Sequence, residues 1–408
     1  MRISSSTLYD VNVAALNQQQ GKMLHTQQQV SSGRRMLTAA DDPAAAAHAL
    51  ELTQSDATTA QYAKNIDAAQ HSLSTSEGVL QTVTTLLQDI KTVSISATSP
   101  AMANTDRQII ASDLRGRLDE LISLANSTDG LGNYLFSGFQ GKTQPFATTA
   151  AGVQYMGDDG QRLSQVSANR QLSGSDSGAD IFMRIKNGNG TFVTQAAVTN
   201  TGNGIASQGN VINPALLTGH NYQVTFAVAG GATTYTIADT TNPANPVNAQ
   251  PPTPYVSGQA ISFDGMQFDI QNTPANGDQF TVVPSTNESV FKTISDMINA
   301  LNTPIAPGNA ADDAQLTINL NHAQNSLDRG LDNILTIRAS MGSRLNELDA
   351  MKSSGADLSL QFKQALSLLQ DVDYNKAITD LTQQQTGLQA AQKSFLQVMN
   401  LSIFNYMP

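Results

Sequence analysis

Apolar residues recur at every seventh position in two separate stretches of this chain, and no other feature constrains its fold as much. Ile66, Leu73, Leu80 and Leu87 form one series, supported by Ala69, Val83 and Ile90. Leu320, Leu327, Ile334, Met341 and Leu348 form the other, supported by Leu316, Ile337 and Leu345. A helix turns once in 3.6 residues, so each series lies along one stripe that must be buried. Two long stripes in one chain can cover each other, which favours an intramolecular bundle over a coiled coil between chains. Asp42-Pro43 followed by four alanines is a helix start, because the carboxylate can cap free amides and proline is pre-set for the first turn. Ser99-Pro100 closes that helix, and Asp106 to about Leu124 reads as a second one carrying Ile110, Leu114, Leu118 and Leu121.

Between the two helical series the composition breaks. Seventeen of the 29 glycines, nine of the 14 prolines and 11 of the 22 aromatic residues fall between residues 141 and 285. Strand-like runs occupy 222–228 (YQVTFAV), 233–238 (TTYTIA) and 260–270 (AISFDGMQFDI). Asp264-Gly265 supplies a two-residue hairpin turn, and Asn189-Gly190 is expected to make a similar one. Residues 241–254 are too rich in proline for a central strand and read as an exposed loop.

The outermost segments carry weaker seams. Leu16, Met23, Val30 and Leu37 recur every seven, with Gln20 and Gln27 at the offset positions. Near the other end, Tyr374, Ile378, Leu381, Leu388, Phe395, Met399 and Tyr406 follow in steps of four, three or their sum, with Gln385 and Gln392 in the same seam. Such seams are apolar enough to associate and too polar to form a good isolated core. The expectation is that both tails order fully only when neighbouring copies add buried surface.

Little in the chain supports catalysis. There is no cysteine, which removes disulfides, thiolate metal sites and a thiol nucleophile. The five histidines form no close metal-binding pair, and His25, His48 and His71, although evenly spaced, lie many helical turns apart. Gly141-Lys142-Thr143 resembles the end of a phosphate loop, yet Phe136 stands where the leading glycine belongs. Asp158-Asp159-Gly160 lacks the alternating oxygen ligands of a calcium loop and reads as a hairpin turn. Net charge is -11, spread as -4, -3 and -4 over 1–140, 141–285 and 286–408, so no basic patch invites nucleic acid or anionic lipid. No apolar run is long enough to cross a membrane or to serve as a cleavable signal. These features point to a structural or binding protein rather than an enzyme, with no cofactor or metal.

Several motifs carry a family resemblance. VSSGRRMLTAADDPA, residues 30–44, resembles the signature near the start of flagellins and of the two hook-associated junction proteins of the bacterial flagellum. Residues 371–408 resemble the carboxyl-terminal helix of that family. The ending Leu401-Ser402-Ile403-Phe404-Asn405-Tyr406 is similar to that of its distal hook-filament junction members, as are GNYLFSGFQGKTQPF at 132–146 and YMGDDGQRLSQVSANR at 155–170. Residues 261–285 are similar to a segment shared by both junction proteins, and the likeness is thin from about Asp176 to Gln259.

The resemblance implies a flagellin-like fold. It would be mainly α with an inserted β-rich domain, the amino- and carboxyl-terminal helices pairing into a long antiparallel bundle. The expected division is an amino-terminal assembly helix and connection at 1–42, half of the bundle at 43–140, a β-rich outer domain at 141–285, the other bundle half at 286–356, and a carboxyl-terminal assembly helix at 357–408. The resemblance further implies a protein secreted unfolded through the flagellar type III pathway, held beforehand by an export chaperone of the FlgN type. Copies would form a ring between the proximal hook-associated protein and the first flagellin, with the paired terminal helices as its inner tube. Expected interface residues are Leu8, Val11, Leu16, Met23, Leu388, Phe395, Val398, Met399, Ile403, Phe404 and Tyr406. Arg34, Arg35, Asp41 and Asp42 either cap helices locally or make ion pairs between subunits. The alternatives are a flagellin filament subunit, the proximal junction protein, or a secreted adhesin on a flagellin-like frame.

Overall fold

The computed structural model describes the backbone at residues 5–99 and 102–400, and side chains at 7, 9–99 and 102–397. Among the described residues six α-helices form the frame: α1 (Ser5–Ser32), α2 (Pro43–Ser96), α3 (Asn104–Ala125), α4 (Val290–Asn302), α5 (Ala310–Gln370) and α6 (Tyr374–Asn400). They fall into two compact units. One comprises Met1–Lys64 and Ala350–Pro408, and the other Asn65–Asp349. The boundary that the sequence suggests near 357 lies inside the continuous α5.

In the second unit the heptad stripes are the core of the helical part. Every member of the two series, from Ile66 to Leu87 and from Leu320 to Leu348, is fully buried, together with Leu114 and Leu121 of α3. Polar contacts along the edges fix the direction of the helices. Gln70 bonds Asp349 at 2.5 Å, Arg338 pairs with Glu77 at 2.7 Å, and Lys91 pairs with Asp328 at 2.5 Å. As the α2 number rises the α5 number falls, so the two run antiparallel. α4 is amphipathic, with Ser289 capping the amide of Lys292 and Ile294, Met297 and Ile298 buried. α2 stops at Ser96, and Pro100 lies outside the described residues.

The β-rich lobe belongs to the same unit. Its larger sheet has five antiparallel strands in the order Thr253–Pro254, Ala232–Asp239, Tyr222–Ala229, Gln279–Pro284 and Phe192–Ala196. A second sheet is built on the hairpin of Ala260–Phe263 and Met266–Gln271, to which Ile205–Ala206 and Asn210–Val211 add. Phe192, Tyr222, Phe226, Phe268, Phe280 and Val282 make the core, and Ile318 of α5 reaches into it. A second aromatic cluster joins the lobe to the helices: the rings of Phe146 and Phe291 lie 5.1 Å apart and those of Phe146 and Phe182 5.4 Å apart.

The hairpin at Asp264-Gly265 forms as expected, both residues adopting positive φ (42° and 79°). Three readings need correction. Asp158-Asp159-Gly160 is no hairpin turn, because the strands on either side of it, Gly152–Tyr155 and Leu163–Ser167, pair with other partners. Its charge has a better use: Asp158 accepts hydrogen bonds from the amides of Phe139, Gln140 and Gly160 and so pins one loop to another. Asn189-Gly190 likewise joins strands of different sheets. The proline-rich run is not simply exposed. Val247 is buried in the lobe core, and the Asn245 amide donates to Asp239 and Asp264.

Candidate assembly surface

The first unit pairs α1 with α6. The Tyr9 and Phe395 rings are 5.6 Å apart, and a Cβ on Gly387 would lie 2.8 Å from the Gln19 side chain. At the far end Val372 donates its amide to the Gly33 carbonyl at 2.9 Å, and Arg35 donates to the Gln370 carbonyl at 2.7 Å. These contacts place the two helices antiparallel and fix their register. Gly33 adopts φ 71°, where a side chain is strained, which suits it to end α1.

The seam between the helices differs in detail from the sequence reading. Gln20 and Gln27 are exposed, while Asn12, Gln19 and Thr26 alternate with the half-buried Leu16, Met23 and Val30. The polar partners are therefore three residues after each apolar one rather than four, a choice that spacing alone leaves open. On α6 the seam is Ala377, Leu381, Gln384, Leu388 and Phe395. Tyr374 and Ile378, assigned to it from the sequence, lie on the neighbouring exposed stripe, and Gln385 and Gln392 are exposed.

Among the expected interface residues, Leu388 is 9% exposed and Phe395 is half-buried against Tyr9, whereas Val11 is 62% exposed. The side chains of Leu8, Val398 and Met399, and all of Ile403, Phe404 and Tyr406, lie outside the described residues. Sequence reasoning missed Thr26, Ala377 and Gly387. These are small or polar residues that a search for large apolar ones passes over.

The connection 33–42 is closed by its own charges. Asp41 accepts from the amides of Leu37 and Thr38 at 2.8 and 2.9 Å, and from His25 at 3.2 Å. The Thr38 and Leu37 amides, helped by His25, hold its carboxyl down from the usual 3.8 to about 2. Asp42 accepts from the Ala45 amide at 3.0 Å as the cap of α2. The Arg35 guanidinium donates to the Leu369 carbonyl at 3.0 Å and to Asp42 at 3.4 Å. Arg34 is exposed, with no carboxylate partner among the described residues.

What this unit leaves uncovered is its main chemical feature. Among its described residues the only large apolar side chain that is buried is Leu388; the other buried apolar ones are Ala45, Ala49 and Ala377. Leu24, Leu50, Leu360, Leu368, Ile378 and Leu396 are exposed. Monomers rarely leave that much apolar surface open, and where they do it marks an interaction face. Among the described residues no cluster of three or more acidic or imidazole groups could hold a metal, and no helix is long and apolar enough to cross a membrane.

Comparison with known proteins gives the same direction. Residues 3–141 match the model of the bacterial flagellin N-terminal helical region. Flagellar hook-associated protein 3 of Escherichia coli K12 is 28% identical over 404 residues, covering 99% of both chains. The crystal structure of flagellar hook associated protein-3 from Legionella pneumophila matches with a TM-score of 0.74 and 31% identity, covering 78% of this chain and 98% of that one. A structure of the flagellar junction protein FlgL from the same organism matches with a TM-score of 0.71 and 30% identity, over 79% and 100%. With its heptad bundle, inserted β-rich lobe and paired terminal helices, the chain belongs to the FlgL family of flagellar hook-associated proteins.

Proposed function

We propose that copies of this chain form the ring at the hook-filament junction of the bacterial flagellum, seated on the proximal hook-associated protein and continued by the first flagellin. The observation that carries this reading is the α1/α6 unit, which among its described residues buries one large apolar side chain and exposes many. Burying a leucine fully is worth about 1.5–3 kcal/mol, and a ring repeats each such contact at every subunit. Axial assembly requires a heterologous contact, one surface meeting a different surface on the next copy. The chain acts as a structural part rather than a catalyst. It travels unfolded through the flagellar export route, and a chaperone of the FlgN type covers the exposed stripe of α6 beforehand.

Deleting the gene and imaging the cells tests this reading, with flagellin assayed in the medium. Hooks without filaments and abundant flagellin lost to the medium are expected. Bare hooks with no other flagellin secreted would make the chain the filament subunit, and intact filaments would overturn both.

A further inference from the structure

A second patch of exposed apolar residues lies in the Asn65–Asp349 unit, on the loops at 129–142. Leu131 is 81% exposed and Phe139 67%. These loops are held rigidly. Asp129 accepts from the amides of Leu131 and Asn133, Asp158 from those of Phe139 and Gln140, and Arg162 donates to the Gly138 carbonyl. A Cβ on Gly160 would collide with the Phe139 ring, so the ring lies against that glycine with its remaining surface in water. A phenylalanine fixed in one orientation and left exposed has lost its freedom in advance of binding.

The same unit carries a counterpart. Along the outer face of α3, Ile109, Ser112, Asp113, Gly116, Arg117 and Glu120 line a shallow groove, and the space over Gly116 is open. Ile109 is exposed at one end of it. Arg117 is committed to Asp113 at 2.9 Å and to Asp89 at 3.6 Å, which leaves Glu120 without a cationic partner among the described residues. Beside Leu131, Lys142 donates to the carbonyls of Leu131 and Gly132 and has no carboxylate partner among the described residues.

We propose that these two patches meet between copies: the 129–142 loop of one subunit seats Phe139 in the α3 groove of a second copy, with Lys142 beside Glu120. Knob and groove, cation and anion, lie on two different surfaces of the same chain, as a heterologous contact between identical subunits requires. The proposal rests on the ring reading and names one contact within it.

The chain has no cysteine, so a single introduced pair reports cleanly. Phe139→Cys and Ile109→Cys, combined in one chain that replaces the native copy, should give a ladder of disulfide-linked multimers in isolated flagella after mild oxidation, and neither single variant should. Cells that bear filaments yet yield no linked species would overturn the contact while leaving the ring reading intact. If the cysteine pair itself stops filament growth, charge exchange decides. Lys142→Glu should lower motility and Glu120→Lys in the same chain should restore it, whereas equal loss in single and double variants would overturn the contact.

Discussion

At Asp41 two backbone amides and an imidazole converge on one carboxylate, which makes the 33–42 connection sensitive to acid. A carboxyl held below its usual value contributes stability at pH above about 3.8 and loses it as pH falls through about 2. Protection of the Leu37 and Thr38 amides against exchange, measured relative to an unstructured chain at the same pH, should therefore hold down to pH 4 and fall between 4 and 2, and an Asp41→Asn variant should lack that step. Arg35 makes its bonds inside its own chain, so Arg35→Glu should loosen this connection. Unchanged motility in that variant would leave Arg35 a local cap only. Gly138 shows a different kind of residue control. It holds φ 72°, and a Cβ there would collide with the backbone of Asp158. Gly138→Ala should cost at least about 1–3 kcal/mol, read as a lower midpoint in urea, and an unchanged midpoint would show that the crossing of the two loops can relax.

Among the elements, apolar helical positions divide into two classes, even along the single helix α5. Met341 and Leu80 are fully buried, and truncating either to alanine should cost about 2–5 kcal/mol of subunit stability. Leu360 and Leu368 are exposed, so the same truncation should change stability by no more than about 0.5 kcal/mol. It should, however, lower assembly into filaments, and unimpaired filaments on the Leu360→Ala, Leu368→Ala double variant would exclude those positions from the interface. The difference explains what could be read in advance. The bundle stripes were legible because every seventh residue is large and apolar, and only one phase of the helix buries them. The hairpin at Asp264-Gly265 was legible because few residue pairs accept its backbone. In α1 the seam is carried by Asn12, Gln19 and Thr26 as much as by Leu16 and Met23, and glutamines stand on every face, so pattern could not choose the phase. The role of Asp158 was hidden for another reason: its partners at 139 and 140 come from a loop whose approach depends on the folded lobe.

For the whole molecule, the division into two units separates a well-buried core from a sparsely buried α1/α6 pair. Removing residues 397–408 should abolish filament growth while leaving the thermal transition of the Asn65–Asp349 unit in place, and normal filaments would contradict the assembly reading. Amide exchange on the free subunit should show the heptad bundle strongly protected and α1 and α6 much less so; full protection of both tails in a monomer would mean that they need no neighbours. The assembly unit also draws α1 from residues before 65 and α6 from residues after 349, with the entire second unit between them. Contacts so distant in sequence form late, because the intervening chain must be ordered or looped out first. A chain emerging end-first from a narrow channel, whichever end leads, therefore cannot close α1 on α6 until nearly all of it has passed. The bundle and lobe can mature while the rest is still in transit. Sequence separation thus works as a clock: the α1/α6 face comes into existence only on a molecule whose other parts are already built, and an incomplete copy lacks that share of its joining surface.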